Sequence, residues 1–99
     1  MKMQTPTLCQ LCVVDRVKGR VIVARGTVFP SNNEGGNMIH NNPVSPQNVR
    51  VYVDDVVPEF QLNLLPVPCS EHETIGNAEG SFVQWPKELV ILGQVYNLH

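Results

Sequence analysis

A chain of 99 residues is sized for one domain with a modest core, and an apolar share of 42% excludes gross disorder. Charged residues make up only 16%, so the chain either presents neutral surface to a partner or is a piece of a longer chain; the abrupt ends, Met1-Lys2-Met3 and Leu98-His99, favour the piece. The net charge is −2 but unevenly spread: Lys2, Arg16, Lys18, Arg20 and Arg25 stand against Asp15 up to Phe29, for +4, and the remainder carries −6.

Leu8–Val14 is a nearly continuous apolar run, and Arg20–Phe29 is a second, rich in valine. Asp15-Arg16-Val17-Lys18-Gly19 lies between them, which predicts a β-hairpin with Gly19 free to take positive φ. Pro30–Gln47, with five asparagines, the Gly35-Gly36 pair and three prolines, reads as a long loop. Within it Met38-Ile39-His40 forms an apolar island suited to a short strand that anchors an otherwise mobile 31–47.

Asn48–Val56 alternates, with Val49, Val51 and Val53 on one side and Arg50, Tyr52 and Asp54 on the other, which predicts a half-buried antiparallel strand. Phe60–Leu65 is expected to be a short edge strand ended by Pro66-Val67-Pro68. Thr74 is placed to cap a short helix over Ile75–Glu79, with Gly80 as its stop. Ser81–Trp85 reads as a strand closed by Pro86, and Leu89–Leu92 as a last strand or a helical turn.

Together these elements predict a mainly β fold for residues 1–99: a small antiparallel barrel or rolled sheet with at most one short helix. The expected core draws on Leu11, Val13, Val21, Val23, Val49, Val51, Val53, Phe82, Val83 and Leu89.

Several constellations are candidates for chemistry or binding. Cys9-x-x-Cys12 and Cys69-x-x-His72 would make a tetrahedral Cys₃His zinc set. However, Gln10-Leu11 offers no turn residue, and cysteines three apart on a strand face opposite sides, so the chain is expected to hold no metal and no cofactor. A thiol nucleophile lacks support from any Gly-x-Ser-x-Gly, Walker or Gly-x-Gly-x-x-Gly motif, and Glu71-His72-Glu73 reads as a solvated loop. His40 either packs its loop down or makes a binding contact, and Trp85 is either a core residue with its indole N–H satisfied or an exposed binding anchor. Arg16, Lys18, Arg20 and Arg25 form a basic hairpin that could meet phosphate or an acidic protein, although Arg20 and Arg25, five apart, should face opposite sides.

No apolar run approaches the ~20 residues that cross a membrane, and no signal-peptide pattern opens the chain. Three cysteines, an odd number, and the lack of an Asn-x-Ser/Thr sequon point to a reducing, intracellular setting.

Several segments come in a telling order: Val23-Ala24-Arg25-Gly26-Thr27-Val28, Met38-Ile39-His40, Val49-Arg50-Val51-Tyr52-Val53-Asp54, Leu65-Pro66-Val67-Pro68 and Thr74-Ile75-Gly76-Asn77-Ala78-Glu79-Gly80-Ser81-Phe82-Val83-Gln84-Trp85-Pro86-Lys87. Over roughly Cys9 to Val90 the chain resembles an uncharacterised domain of plant proteins encoded by, or derived from, En/Spm-like (CACTA) transposons; the block ending Phe82-Val83-Gln84-Trp85-Pro86 is its most specific part. The resemblance implies a nuclear transposon accessory or transposase-associated factor, or a domesticated host protein, that self-associates or meets DNA. It carries no catalytic role onto any residue, and the acidic triad of the catalytic transposase domain has no counterpart. The function expected is therefore a non-catalytic protein-interaction or self-association module, acting on no small-molecule substrate and on no membrane. The alternative is a nucleic-acid-binding module using residues 16–25.

Overall fold

Two apolar runs and a charged turn open the chain, and they pair as read: β1 (Thr7–Asp15) and β2 (Gly19–Phe29) form an antiparallel hairpin. Asp15 makes the turn, its Oδ2 accepting from the Val17 and Lys18 backbone N–H groups at 3.0 and 2.8 Å, and Gly19 takes φ +81°. The computed structural model describes residues 6–29, 38–39 and 42–93. The chain continues through β3 (Met38–Ile39), β4 (Asn42–Pro43), β5 (Asn48–Val56), a 3-10 turn (Pro58–Phe60), α1 (Ile75–Ala78), β6 (Phe82–Pro86), a second 3-10 turn (Lys87–Leu89) and β7 (Val90–Leu92).

Met38–Ile39 is the expected short strand, and it pairs with Asn42–Pro43, a partner the sequence does not announce. His40 and most of the loop expected to be mobile lie outside the described residues. Thr74 caps α1 through a capping box with Asn77, and Gly80 follows at φ +83°. Phe60–Leu65 is not a strand: a 3-10 turn and further turns occupy it, and only Leu64 makes a bridge, to Thr74. Pro58 opens that turn at a position where a missing N–H costs nothing.

Five of the strands make one antiparallel sheet in the order β6-β5-β2-β1-β7. Its edges, β6 and β7, are consecutive in the chain, joined only by Lys87–Leu89. That link spans at most ~14 Å, whereas the edges of a flat five-stranded sheet lie ~19 Å apart. The sheet must therefore roll, and the roll does not close, because among the described residues β7 pairs only with Cys9–Leu11 of β1 and β6 only with β5.

Inside the roll lies the core. Leu11, Val23, Val51, Val53, Val83 and Trp85 are fully buried, joined by Cys9, Cys12, Ala24, Val56, Leu65, Ile75, Ala78 and Leu89. Val13, Val21 and Val49 pack on it half-buried. Trp85 buries ~150–250 Å², worth about 4–6 kcal/mol as an upper bound on an area scale. Its indole N–H donates to the Cys12 carbonyl at 2.9 Å, reaching from one edge strand to β1.

Phe82 corrects the expected core. Val83 pairs with Val51 and Trp85 with Val49, so both face inward and the pleat turns Phe82 to the outer face. There it meets Tyr52 and Phe29 edge-on, at ring centroids 5.1 and 5.2 Å apart, and the Arg50 guanidinium lies 5.0 Å from its ring centre.

Two bulges set the phases of the strands. The β1–β2 register shifts between Leu11 and Cys12, with the extra residue in β2, so Val23 and Ala24 are both buried. The β2–β5 register shifts between Arg25 and Gly26, with the extra residue at Asp54-Asp55, which returns Val56 to the core. Gly26 sits at this crossing because a Cβ there would lie 2.5 Å from the Tyr52 carbonyl oxygen.

Stability should respond to this register in two ways. Val51→Asp buries an unpaired charge, a penalty of several kcal/mol and comparable to the whole stability of a small domain. It should unfold the chain, whereas Arg50→Asp, on the outer face, loses its ring contacts and stays folded; circular dichroism melts that coincide for the two would refute this register. Trp85→Phe keeps an aromatic ring but strands the buried Cys12 carbonyl, and should cost at least ~2 kcal/mol in urea unfolding. An unchanged midpoint would mean that the seam is held without the indole.

Candidate interaction groove

Where β1 runs past the end of β7, the roll has a seam. Leu8, on β1, accepts a hydrogen bond from Gly93, just past β7, and Cys12 turns its carbonyl to Trp85, so even-numbered residues of β1 direct their backbone groups away from β2. Val14 has the same parity. Its N–H and C=O point into the seam, beyond the last β7 pairing at Leu11, and have no hydrogen-bond partner among the described residues.

Beside Val14 lies a groove of about 670 Å³, lined chiefly by Val13, Val14, Leu62, Leu64, Pro86 and Leu89. Leu62 is 88% exposed, Leu64 67% and Val14 70%. Solitary exposed apolar residues are ordinary, but three converging on one groove are not. The leucines do not sit on a frayed loop. The Val57 N–H donates to the Val23 carbonyl, Leu65 to Glu73, Ile75 to Asn63 and Gly76 to Gln61, all within 3.2 Å. α1 docks so tightly on this segment that a Cβ at Gly76 would lie 2.8 Å from the Gln61 carbonyl oxygen. Leu65 and Ile75 anchor the loop from beneath, leaving Leu62 and Leu64 on top.

The basic residues divide. Arg16, Lys18 and Arg20 are exposed at the hairpin's turn end and have no ion-pair partner among the described residues; Arg20 sits directly across from Val14. Arg25 is held by Asp55 at 2.6 Å, an exposed pair of small energetic weight that nonetheless neutralises it. The β2 bulge brings Arg20 and Arg25 to the same face, contrary to the parity expected of an unbroken strand. Trp85, a candidate anchor in the sequence, is wholly buried and offers a partner no surface. Sequence reasoning passes over Leu62 and Leu64 as candidates, although their alternation just before Pro66 is a visible signal.

The sulfur residues do not converge. The bulge residue belongs to β2, and both Cys9 and Cys12 of β1 are buried in the core cluster. Cys69 lies in the loop before α1, lining a second open pocket of about 520 Å³ with His72, Glu71 and Glu73, and its thiol donates to the His72 carbonyl at 3.5 Å. Among the described residues, no three His, Cys, Asp or Glu side chains are grouped to hold a metal ion. Burial pushes the Cys9 thiol up to about 11, and burial likewise raises Cys12. Both are therefore protonated at neutral pH and poor nucleophiles. The Lys18 and Val17 N–H groups hold the Asp15 carboxyl below its ordinary range.

A family model described as a domain of unknown function, DUF8039, matches residues 1–93, and the chain belongs to that family. No curated protein and no solved structure matches the chain significantly.

The raised Cys9 thiol has a consequence in alkali. Above pH ~9 the unfolded chain releases this proton, while the folded chain keeps it until about pH 11. Stability contributed by the protonated thiol is full below pH 9 and is lost as pH rises towards 11. Urea midpoints measured from pH 8 to 11 should fall more steeply for the parent chain than for Cys9→Ala. Parallel slopes would show that Cys9 ionises as freely folded as unfolded.

Proposed function

We propose that this member of a family without an assigned function is a non-catalytic protein-interaction or self-association module. One observation carries the reading: Leu62 and Leu64 stand exposed on a hydrogen-bonded loop, converging with Val14 on one apolar groove. Keeping such side chains in water forgoes ~1.5–3 kcal/mol each relative to burial, and a rigid loop that presents them is suited to a partner. The buried, protonated thiols at Cys9 and Cys12 and the thiol–carbonyl bond at Cys69 support a role without catalysis. In keeping with the transposon-protein resemblance, the module would work in the nucleus.

The nucleic-acid reading rests on the hairpin cations. With Arg25 taken by Asp55, three remain, Arg16, Lys18 and Arg20. Three phosphate contacts give a slope near −2.7 in log K against log salt, too few for tight binding by an acidic chain near physiological salt.

Random-peptide display together with a mass measurement by analytical sedimentation tests the two branches of the proposal. The chain should select peptides or associate with itself, and Leu62→Asp with Leu64→Asp should abolish either while leaving the melting temperature unchanged. A submicromolar DNA gel shift at physiological salt, lost on reversing Arg16 and Lys18, would instead establish the nucleic-acid module.

A further inference from the structure

The groove is bordered by an open strand edge, and the two together define what fits. We infer that the seam takes an extended, acidic segment of another protein as an added strand alongside Val14, an inference that rests on the interaction-module reading.

The backbone makes the first part of the case. Val14 offers an outward N–H and C=O beyond the end of β7, in line with the Leu8 and Cys12 carbonyls that already bond away from β2. A strand laid there continues the sheet past β7, and main-chain hydrogen bonding of this kind supplies affinity without fixing sequence. The pleat then decides the side chains. The guest residue paired with Val14 shares the outer face with Val14 and Arg20, and its two neighbours turn into the groove against Val13, Leu62 and Leu89. Apolar residues suit those two positions.

Charge selects the rest. Arg16, Lys18 and Arg20 cluster at the Val14 end of the groove, and the nearest acid, Asp15, has one carboxylate oxygen committed to the Val17 and Lys18 N–H groups. Lys87 and Glu88, adjacent in the second 3-10 turn, offset one another. A carboxylate paired opposite Val14 or just beyond it meets a turn end that is net positive, with Arg16, Lys18 and Arg20 against Asp15, which favours acidic guests and repels basic ones. The edge itself argues against a second copy as the guest. Two-fold antiparallel pairing centred on Val14 would run each copy's Arg16 and Lys18 along the other copy's Cys12 and Gln10, where the Trp85 indole and β7 already occupy the edge.

The probe is a blocked octapeptide of alternating leucine and glutamate, with its leucine–lysine counterpart, titrated into the isotope-labelled 99-residue chain by nuclear magnetic resonance. The glutamate peptide should shift the amides of Val13, Val14, Leu62 and Leu64, and the lysine peptide should bind at least about tenfold more weakly. Val14→Pro removes the outward N–H while sparing the β1–β2 ladder, because proline is tolerated on an open strand edge. It should weaken the glutamate peptide about tenfold, with the spectrum otherwise that of the folded chain. Should Val14→Pro unfold the chain, a glutamate peptide N-methylated at alternate residues replaces it and should lose binding likewise. Equal binding of both peptides, shifts centred elsewhere, no shifts, or indifference to the lost backbone hydrogen bonds would each overturn the inference. Concentration-dependent shifts at Val14 without peptide would overturn it in favour of self-association and leave the interaction-module reading standing.

Discussion

The bond from the Trp85 indole to the Cys12 carbonyl is the interaction on which the rest of this fold depends. In a flat sheet β6 and β1 would lie three strand spacings apart, ~14 Å, beyond the reach of any side chain. The bond is possible only because the sheet rolls, and it joins the strands at a point where they share no ladder. Pro86, the next residue, has no N–H to extend pairing and leads the chain into the turn that carries it to β7. The seam is thus tied at Cys12 by an indole and open two residues later at Val14. A seam tied by a side chain instead of a ladder is what leaves a strand edge and a groove in the same place.

Local signals in the sequence were legible, and long-range ones were not. The Asp15–Gly19 turn, the Val49-Val51-Val53 alternation and the Thr74 cap each depend on a few neighbouring residues, and each appears as read. The bulges depend on how one strand meets another. Nothing local marks Val23-Ala24 or Asp54-Asp55 as two residues facing one partner, so parity carried across either site misplaces the residues on its far side, as with Arg20 and Arg25. Phe82 and Val83 could not both be inner on a pleated strand; pairing to Val51 chose Val83, and Trp85 went with it. The groove was illegible for a related reason. Leu62 and Leu64 resemble alternating strand residues, and only the docking of α1 on Gln61 and Asn63 turns that segment into a loop that holds them outward.

The charge division also changes meaning once folded. Basic β2 pairs directly with acidic β5: Arg25 bonds Asp55, and the Thr27 hydroxyl donates to Asp54 at 2.8 Å. Arg50 is drawn over the Phe29 and Phe82 rings. The excess positive charge read from the first third of the sequence is therefore partly cancelled within the sheet, and the part that persists is concentrated at the hairpin's turn end.

That location bears on how an open edge survives in solution. Exposed strand edges invite pairing between copies, and charged side chains beside the edge are a common defence. Here Arg20 sits across from Val14, and Arg16 and Lys18 lie in the adjoining turn, so charge of one sign stands beside the open edge. The same arrangement lowers the barrier for a guest of opposite sign. Charge that would disfavour pairing of copies at this edge would also discriminate among partners, because specificity is a difference between affinities and repulsion contributes to it as directly as attraction. The apolar groove alone would accept many extended segments; on the proposed reading, the cations at its end would narrow that set to acidic ones.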